Sequence, residues 1–451
     1  MAKGRNNQAA LVPESEQPYE VPGNWCWVRM SSLYQINPKN DAPDDVPSSF
    51  IPMDKIAPGM ASDFTYDILP WGKAKKGHTQ FADGDVAFAK ISPCFENRKS
   101  MLVEGLENGI GAGTTELIVL RQPNVNQRYT FWLVNDERLI RGGRQTYSGT
   151  VGQQRIDMDF VRNYPVPLPP LAEQQRIVDT IEGLFAELDE AKENLLSVLE
   201  LLEARRKTIL HEAFTGALTA KWREEHGVAL ESWTQSKLME VGTLQTGLMK
   251  GKRYGSAKTV IMPYLRVANV QDGFLKPDEV KEIEVAADSV ERYMLRQGDV
   301  LFTEGGDFDK LGRGTVWNDE IPNCLHQNHV FAVRTDHSRL LPAFLALQAA
   351  SKYGKDYFLS CSKQTTNLAS INSTQLKNFP VLMPTIEEQT EIVRILDSFF
   401  DEERQVKEAA EAALEKIGQM KKSILDDAFR GLLGTNDPAE ESAAGLLSET
   451  P

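Results

Sequence analysis

The sequence predicts an α+β chain made of two copies of one unit, each a globular half with short strands followed by a long helix. Three observations predict it. A stretch of more than fifty residues repeats at constant offset, two long segments place apolar residues at heptad steps, and the formal charge of −14 is concentrated in those two segments. A length of 451 residues exceeds one ordinary core and suits two or three domains.

The repeat begins where Asn163-Tyr164-Pro165-Val166 aligns with Asn378-Phe379-Pro380-Val381, 215 residues later. Without a gap, Pro169 then falls on Pro384, Glu173-Gln174 on Glu388-Gln389, Ile177-Val178 on Ile392-Val393, Ile209-Leu210 on Ile424-Leu425, Ala213-Phe214 on Ala428-Phe429 and Gly216 on Gly431. A weaker match precedes it: Gly84-Asp85-Val86 faces Gly298-Asp299-Val300 at offset 214, and Trp25 faces Trp233 at 208. The globular halves therefore share a fold while differing in loops. Runs such as Asp85-Val86-Ala87-Phe88-Ala89 and Glu116-Leu117-Ile118-Val119-Leu120 read as their strands, and Pro342 to Ala350 as a helix.

In each copy a Pro-rich entry, Pro165, Pro167, Pro169 and Pro170 in the first, keeps the backbone extended and delays the helix to near Ala172 and Glu387. The first helix carries Leu184, Leu188, Ala191, Leu195, Val198, Leu202 and Ile209 on one stripe. The second carries Phe399, Val406, Ala410, Ala413, Ile417, Met420 and Ile424. Forty residues make a rod of roughly 60 Å, too long to bury its stripe on one globular half. An antiparallel coiled coil of the two helices solves this, with the halves at opposite ends and pseudo-two-fold symmetry. The expected register sets Leu184 beside Ile424, Ala191 beside Ile417, Leu202 beside Val406, and Arg205 beside Glu403.

The predicted boundaries are a flexible arm over 1–19, a globular domain over 20–163, the first repeat with its long helix over 164–226, a second globular domain over 227–378, the second repeat over 379–434, and an acidic flexible tail over 435–451. Residues 20–163 carry 16 basic and 17 acidic groups and 227–378 carry 18 and 17, whereas the segments 164–226 and 379–451 carry −5 and −9. Acidic helices do not lie along phosphates; near-neutral domains with local basic loops can. The N-terminal Lys3, Arg5, Asn6, Asn7 and Gln8 precede no apolar run, so a cytoplasmic location is expected. Cys26, Cys94, Cys324 and Cys361 stand far apart, which disfavours a zinc ribbon or a disulfide framework.

The Pro-rich entry, Leu171-Ala172-Glu173-Gln174-Gln175-Arg176-Ile177-Val178, the long helix and Ala213-Phe214-Thr215-Gly216-Ala217-Leu218 together resemble the repeated regions of type I restriction-modification specificity subunits. The run from Pro384-Thr385-Ile386-Glu387-Glu388-Gln389 to Ala428-Phe429-Arg430-Gly431 resembles them again. The resemblance implies a noncatalytic DNA-recognition subunit whose two target-recognition domains each read half of a split, asymmetric site in double-stranded DNA, the helices setting the gap. It also implies two adenine-N6 methyltransferase subunits and ATP-dependent restriction subunits as partners, with S-adenosylmethionine, ATP and Mg²⁺ on them and no cofactor in this chain. The competing reading is a structural or regulatory scaffold of a related phage-defence complex that binds protein rather than DNA.

Catalytic signals are weak. Ser92-Pro93-Cys94-Phe95 stands without a cofactor motif. Gly109-Ile110-Gly111-Ala112-Gly113 lacks nucleotide-loop spacing and reads as a loop needing positive φ. No P-loop signature occurs, and Pro277-Asp278-Glu279-Val280-Lys281 crowds its acids into five residues. Cys324, His326 and His329 lack an evident fourth metal ligand. For DNA, basic groups beside Gly, Gln, Tyr or Thr in loops are the candidates. They are Lys73, Lys75, Lys76 and His78; Arg141, Arg144, Gln145 and Tyr147; Lys250, Lys252, Arg253 and Tyr254; and Lys363, Gln364, Thr365 and Asn367. Arg144-Gln145 and Lys363-Gln364 sit at similar places before each repeat. Arg or Lys suits guanine and Gln suits adenine, so these are the leading base readers.

Overall fold

The first copy of the repeat folds into a single helix over Leu171–Thr215 and the second into one over Ile386–Arg430, each within a residue of its expected start. The computed structural model describes residues 11–251, 255–306, 311–364 and 369–449. Among them no helix is long and apolar enough to cross a membrane. The chain divides into two units: 1–195 with 412–451, and 196–411. Each contains one globular domain, one half of the first long helix and one half of the second.

The two globular domains have the same topology. In the first unit a four-stranded sheet runs Gln35–Ile36, Leu117–Arg121, Val86–Ala89, Ser100–Leu102, and in the second the order is Gly242–Thr246, Val330–Thr335, Val300–Thr303, Gly314–Val316. A second sheet also repeats. Pro47–Ile51 pairs in parallel with Ile110–Gly113, as Thr259–Leu265 does with Leu325–His326. The Pro-rich entries become strands, Pro165–Leu168 against Cys26–Arg29 and Pro380–Met383 against Thr234–Lys237. Proline serves here because each strand has a single partner and can spare amide donors.

The Gly-Asp-Val elements are structural. Gly84 and Gly298 turn the chain at φ of +92° and +87°, a conformation that L side chains resist. Asp85 then accepts from the Ala82 amide and two nitrogens of Arg121, and Asp299 accepts from the Arg296 amide and two nitrogens of Arg334. Both carboxylates are buried and held in a fork, a geometry that only a planar guanidinium provides.

Within each unit the helix halves pair antiparallel. In the first unit Asp189 meets Lys421 at 2.6 Å, and the Lys421 ammonium lies 4.8 Å from the Phe185 ring. In the second unit Arg206 meets Glu403 at 2.8 Å and stacks 4.2 Å above Phe400. The expected register is thus nearly met, but Glu403 takes Arg206 rather than Arg205, whose guanidinium lies over Phe399 instead.

One side of the expected stripe is displaced by a residue. Leu202 is buried and Leu188, Leu195 and Ile209 half-buried, as expected, together with Ile417, Ala413 and Ile424. Leu184, Ala191, Val198, Val406 and Met420 face outward. The seam runs through Ile181, Phe185, Leu188, Leu195, Leu199, Leu202, Arg206 and Ile209, an alternation of 4 and 3 residues broken only at exposed Lys192. Leu184-Phe185 and Val198-Leu199 offer two apolar residues side by side, so apolarity could not choose between them.

The described parts of both chain-terminal segments, 11–19 and 435–449, depart from expectation, and the rest of the arm and tail lies outside the described residues. In the arm, the Val12 amide bonds Trp27 O, Val12 is buried, and the Tyr19 hydroxyl donates to Phe429 O beneath Arg138 and Arg430, at 4.2 and 5.1 Å from its ring. In the tail, Ala443 and Leu447 join the core of the first unit, and Arg176 holds Glu440 through two nitrogens. Buried apolar residues outweigh the acidic composition that suggested flexibility.

The seam assignment predicts unequal costs at neighbouring positions. Phe185 is 5% exposed and Leu184 36%. Phe185→Ala should cost about 3–5 kcal/mol and Leu184→Ala under about 1. Urea unfolding followed by Trp fluorescence checks this, because Trp132 packs edge-on against Phe185; equal losses would reinstate the displaced stripe.

Candidate nucleic-acid interface and its scaffold

The residues that repeat most faithfully hold each helix to its domain. Glu173 and Glu388 are fully buried in the first turns of the long helices, where the helix dipole favours a carboxylate. Glu173 accepts the Trp25 indole N–H at 2.7 Å, and Glu388 that of Trp233 at 2.9 Å. Gln174 accepts from the Asn126 amide and donates to Pro169 O, while Gln389 accepts from the Leu341 amide and donates to Pro384 O and Arg339 O. Each Glu-Gln pair therefore ties a helix start to the first strand, the Pro-rich strand and the helical layer of its own domain.

The two clamps differ in charge. Glu388 also accepts from Arg223 at 2.6 Å and Thr219 at 2.7 Å, and Arg223 caps Gly216 O at the end of the first long helix. In the first unit the tail supplies neutral groups, Asn436 at 2.8 Å and Thr435 at 3.4 Å from the Glu173 carboxylate.

Around these scaffolds the candidate DNA contacts take several settings. Lys73 and Lys76 are exposed beside the short helix Trp71–Ala74, while Lys75 is tied to Asp44 at 2.6 Å and lies 5.8 Å from the Trp71 ring. His78 Nδ1 bonds Ala74 O. Arg141, Arg144 and Gln145 are exposed but lie on the helix Glu137–Gln145 rather than in a loop. Tyr147 packs edge-on against Phe95, and burial raises its pKa, so its ring serves the core. Lys250 is exposed; Lys252, Arg253, Tyr254, Thr365 and Asn367 lie outside the described residues.

Lys363-Gln364 form a strand paired with Ala369–Ser370, so they too leave the loop class. They are not the counterparts of Arg144-Gln145. The helix N-caps Asp136 and Ser351 stand 215 apart, which matches Arg144 with Leu359 and Lys363 with Ser148. The loop 148–155, closed by reciprocal Ser148–Arg155 backbone bonds and turned by Gly149 and Gly152 at positive φ, stands where the second unit pairs Lys363-Gln364 with Ala369–Ser370. Arg155 is clamped by Glu116 at 2.7 and 2.9 Å, and Val151 at the tip is 90% exposed. The signal for this loop in the sequence is two glycines flanked by Gln and Thr, with no charge at its tip.

Two other sequence expectations change. Ile110–Gly113 is itself a strand, and only Gly109 of that run has positive φ. A Cβ at Gly111 would come within 2.5 Å of the Phe81 ring and one at Gly113 within 2.3 Å of Ile51 O, so close strand packing explains these glycines. His326 is buried, bonds Val330 O through Nδ1, and is pushed down to about 4 by burial; burial also raises the Cys324 thiol to about 12. His329 pairs with Glu304 on a different strand connection.

A duplicated domain, each copy clamped to its own long-helix start, defines a class of two-module proteins. The family model described as the type I restriction modification DNA specificity domain matches this chain twice, over residues 50–201 and 231–416. The chain belongs to that family. It is 39% identical over 202 residues to the EcoEI type I restriction enzyme specificity subunit of Escherichia coli, a match covering 44% of this chain and 34% of that one. It is 37% identical over 227 residues to the EcoAI specificity subunit of Escherichia coli, covering 50% and 37%. These matches span about a third of each relative's length. A solved chain described under complex assembly and conformational transition of the type I R-M system shares the fold, with a TM-score of 0.71 at 22% identity over 92% of this chain and all of that one.

The clamps predict an asymmetry in stability. Glu388→Ala strands Arg223, whose side chain is 9% exposed, and should cost about 3–5 kcal/mol. Glu173→Ala strands only neutral donors and should cost about 1–3 kcal/mol. Urea unfolding of the two variants measures the difference, and a larger loss for Glu173→Ala would contradict the assignment.

Proposed function

We propose that this chain is the sequence-specificity subunit of a type I restriction-modification complex. Each globular domain reads one half of a bipartite, asymmetric site in double-stranded DNA, and the helices set the unread gap. The chain itself is noncatalytic. It recruits two adenine-N6 methyltransferase subunits and ATP-dependent restriction subunits, and S-adenosylmethionine, ATP and Mg²⁺ act on those partners.

The observation that carries this reading is the exact structural repetition of the clamp beside readers that differ. Trp, Glu and Gln recur in equivalent bonds in both units, while the segments 148–155 and 363–370, at the same offset of 215, differ in sequence. A constant mount with interchangeable tips suits two half-sites of different sequence. Linking two modest readers makes the second contact intramolecular, so both half-sites at the right spacing are needed for tight binding. Arg141, Arg144 and Gln145 in the first domain, and Lys363 and Gln364 in the second, are the proposed base or phosphate contacts, with Lys73, Lys76 and Lys250 as further phosphate contacts.

The test is to map methylated adenines in cells carrying the methyltransferase gene with and without this chain. The reading expects a two-part motif with a fixed gap that needs the chain. Arg144→Ala should weaken binding by about 1–3 kcal/mol and relax one half of that motif only. Methylation unchanged by removal of the chain would refute the reading.

A further inference from the structure

We infer that the second unit carries a docking pocket for an acidic and apolar protein segment, that the first unit has closed the equivalent place with its own ion pairs, and that the segment belongs to a methyltransferase subunit. The choice of partner rests on the functional reading above. The pocket itself rests on a comparison of two structurally equivalent places.

In the first unit the start of the helix Glu137–Gln145 faces the second long helix through complementary charge. Glu137 pairs with Arg98 and lies 3.7 Å from Lys422, while Arg138 lies 3.1 Å from Asp136 and 3.5 Å from Asp426. In the second unit the corresponding helix is Lys352–Cys361, and it faces the first long helix. At the constant offset of 215, Glu137 becomes Lys352, Asp426 becomes His211, and Lys422 remains a lysine, Lys207. The ion pair of one unit has thus become two cations in the other.

Those cations line a cavity of about 430 Å³. Leu210, Leu311 and Ala350 belong to its apolar wall, and one carboxylate, Asp356, lines it beside Lys207, His211, Lys352 and Lys355. Lys352 holds Asp356 at 2.6 Å and Lys355 holds Asp272 at 3.0 Å, but the first of these pairs is 72% and 62% exposed and is easily exchanged for another carboxylate. No ion pair to Lys207 is found among the described residues.

The combination selects the ligand. A DNA phosphate would use the cations and gain nothing from the leucines, whereas a Leu or Phe side chain beside an Asp or Glu uses both. An apolar anchor in a desolvated pocket with charge at its rim is the usual anatomy of a protein-binding hot spot. The two methyltransferase subunits are therefore held differently, one with this anchor and one without it.

The experiment is native mass spectrometry of the full chain with the methyltransferase subunit encoded beside it, using Lys207→Glu with Lys352→Glu. Both lysines are exposed, so the thermal unfolding midpoint should be unchanged; if it falls, the paired alanine variant replaces the glutamates. The wild type is expected to take two copies. The charge-reversed chain should take one at the same concentration, its second dissociation constant raised about tenfold or more. Lys422→Glu, at the closed place in the first unit, should still take two. Two copies on the charge-reversed chain with unchanged affinity would overturn the inference, as would loss of its DNA binding in the absence of methyltransferase. A wild-type chain that takes no methyltransferase refutes the functional reading itself, and the pocket assignment with it.

Discussion

The fold depends on a buried glutamate at the start of each long helix, accepting an indole N–H from the tryptophan just before the first strand of its own domain. A carboxylate sealed from water must have all its donors in place, because desolvation makes an unmet one costly. The donors come from elements far apart in sequence: Trp25, Asn436 and Thr435 around Glu173, and Trp233, Arg223 and Thr219 around Glu388. Satisfying one side chain thus closes a whole unit. The neighbouring glutamine adds bonds to the Pro-rich strand and to the helical layer, so the helix leaves each domain at a set angle.

This explains why the repeat is faithful in some places and loose in others. The clamp tolerates little change, since each partner sits within hydrogen-bond reach of a fixed atom. The Gly-Asp-Val turns behave alike, with Asp85 and Asp299 forking an arginine from the neighbouring strand. The loop 148–155 is held by the backbone bonds between Ser148 and Arg155 and by the Arg155–Glu116 pair, so its tip residues can diverge in sequence while the loop keeps its place. Acidic charge collects on the exposed helix faces, where solvent screens it and it costs little.

Much of this was legible in the sequence. The offset of 215 gave the duplication and the long helices, and size and charge complementarity along two helices that each leave their own domain gave the antiparallel register to within about one residue. The stripe's exact line was not legible, since Leu184-Phe185 and Val198-Leu199 are apolar pairs and only packing decides which enters. The arm and tail read as flexible because their few packed residues, buried Val12, Ala443 and Leu447 and half-buried Tyr19, carry no periodic signal. The candidate interface was the least legible part. Arg144 and Lys363 look equivalent by distance from the repeat, yet the intervening helix places Arg144 opposite Leu359. Charge picked out positions that the structure leaves exposed, Lys73, Lys76, Arg141 and Arg144 among them, and passed over the exposed loop 148–155, whose tip is uncharged.

The central claim is that the clamp is a mount independent of the reader it carries. It is tested most directly by replacing residues 238–378 with the matching segment of a relative of different target, leaving Trp233, Glu388 and Gln389 in place, and sequencing the methylated adenines that result. One half of the motif should change to that of the donor while the other half and the gap stay as they were. A change in both halves, or in the gap, would show that mount and reader are not separable.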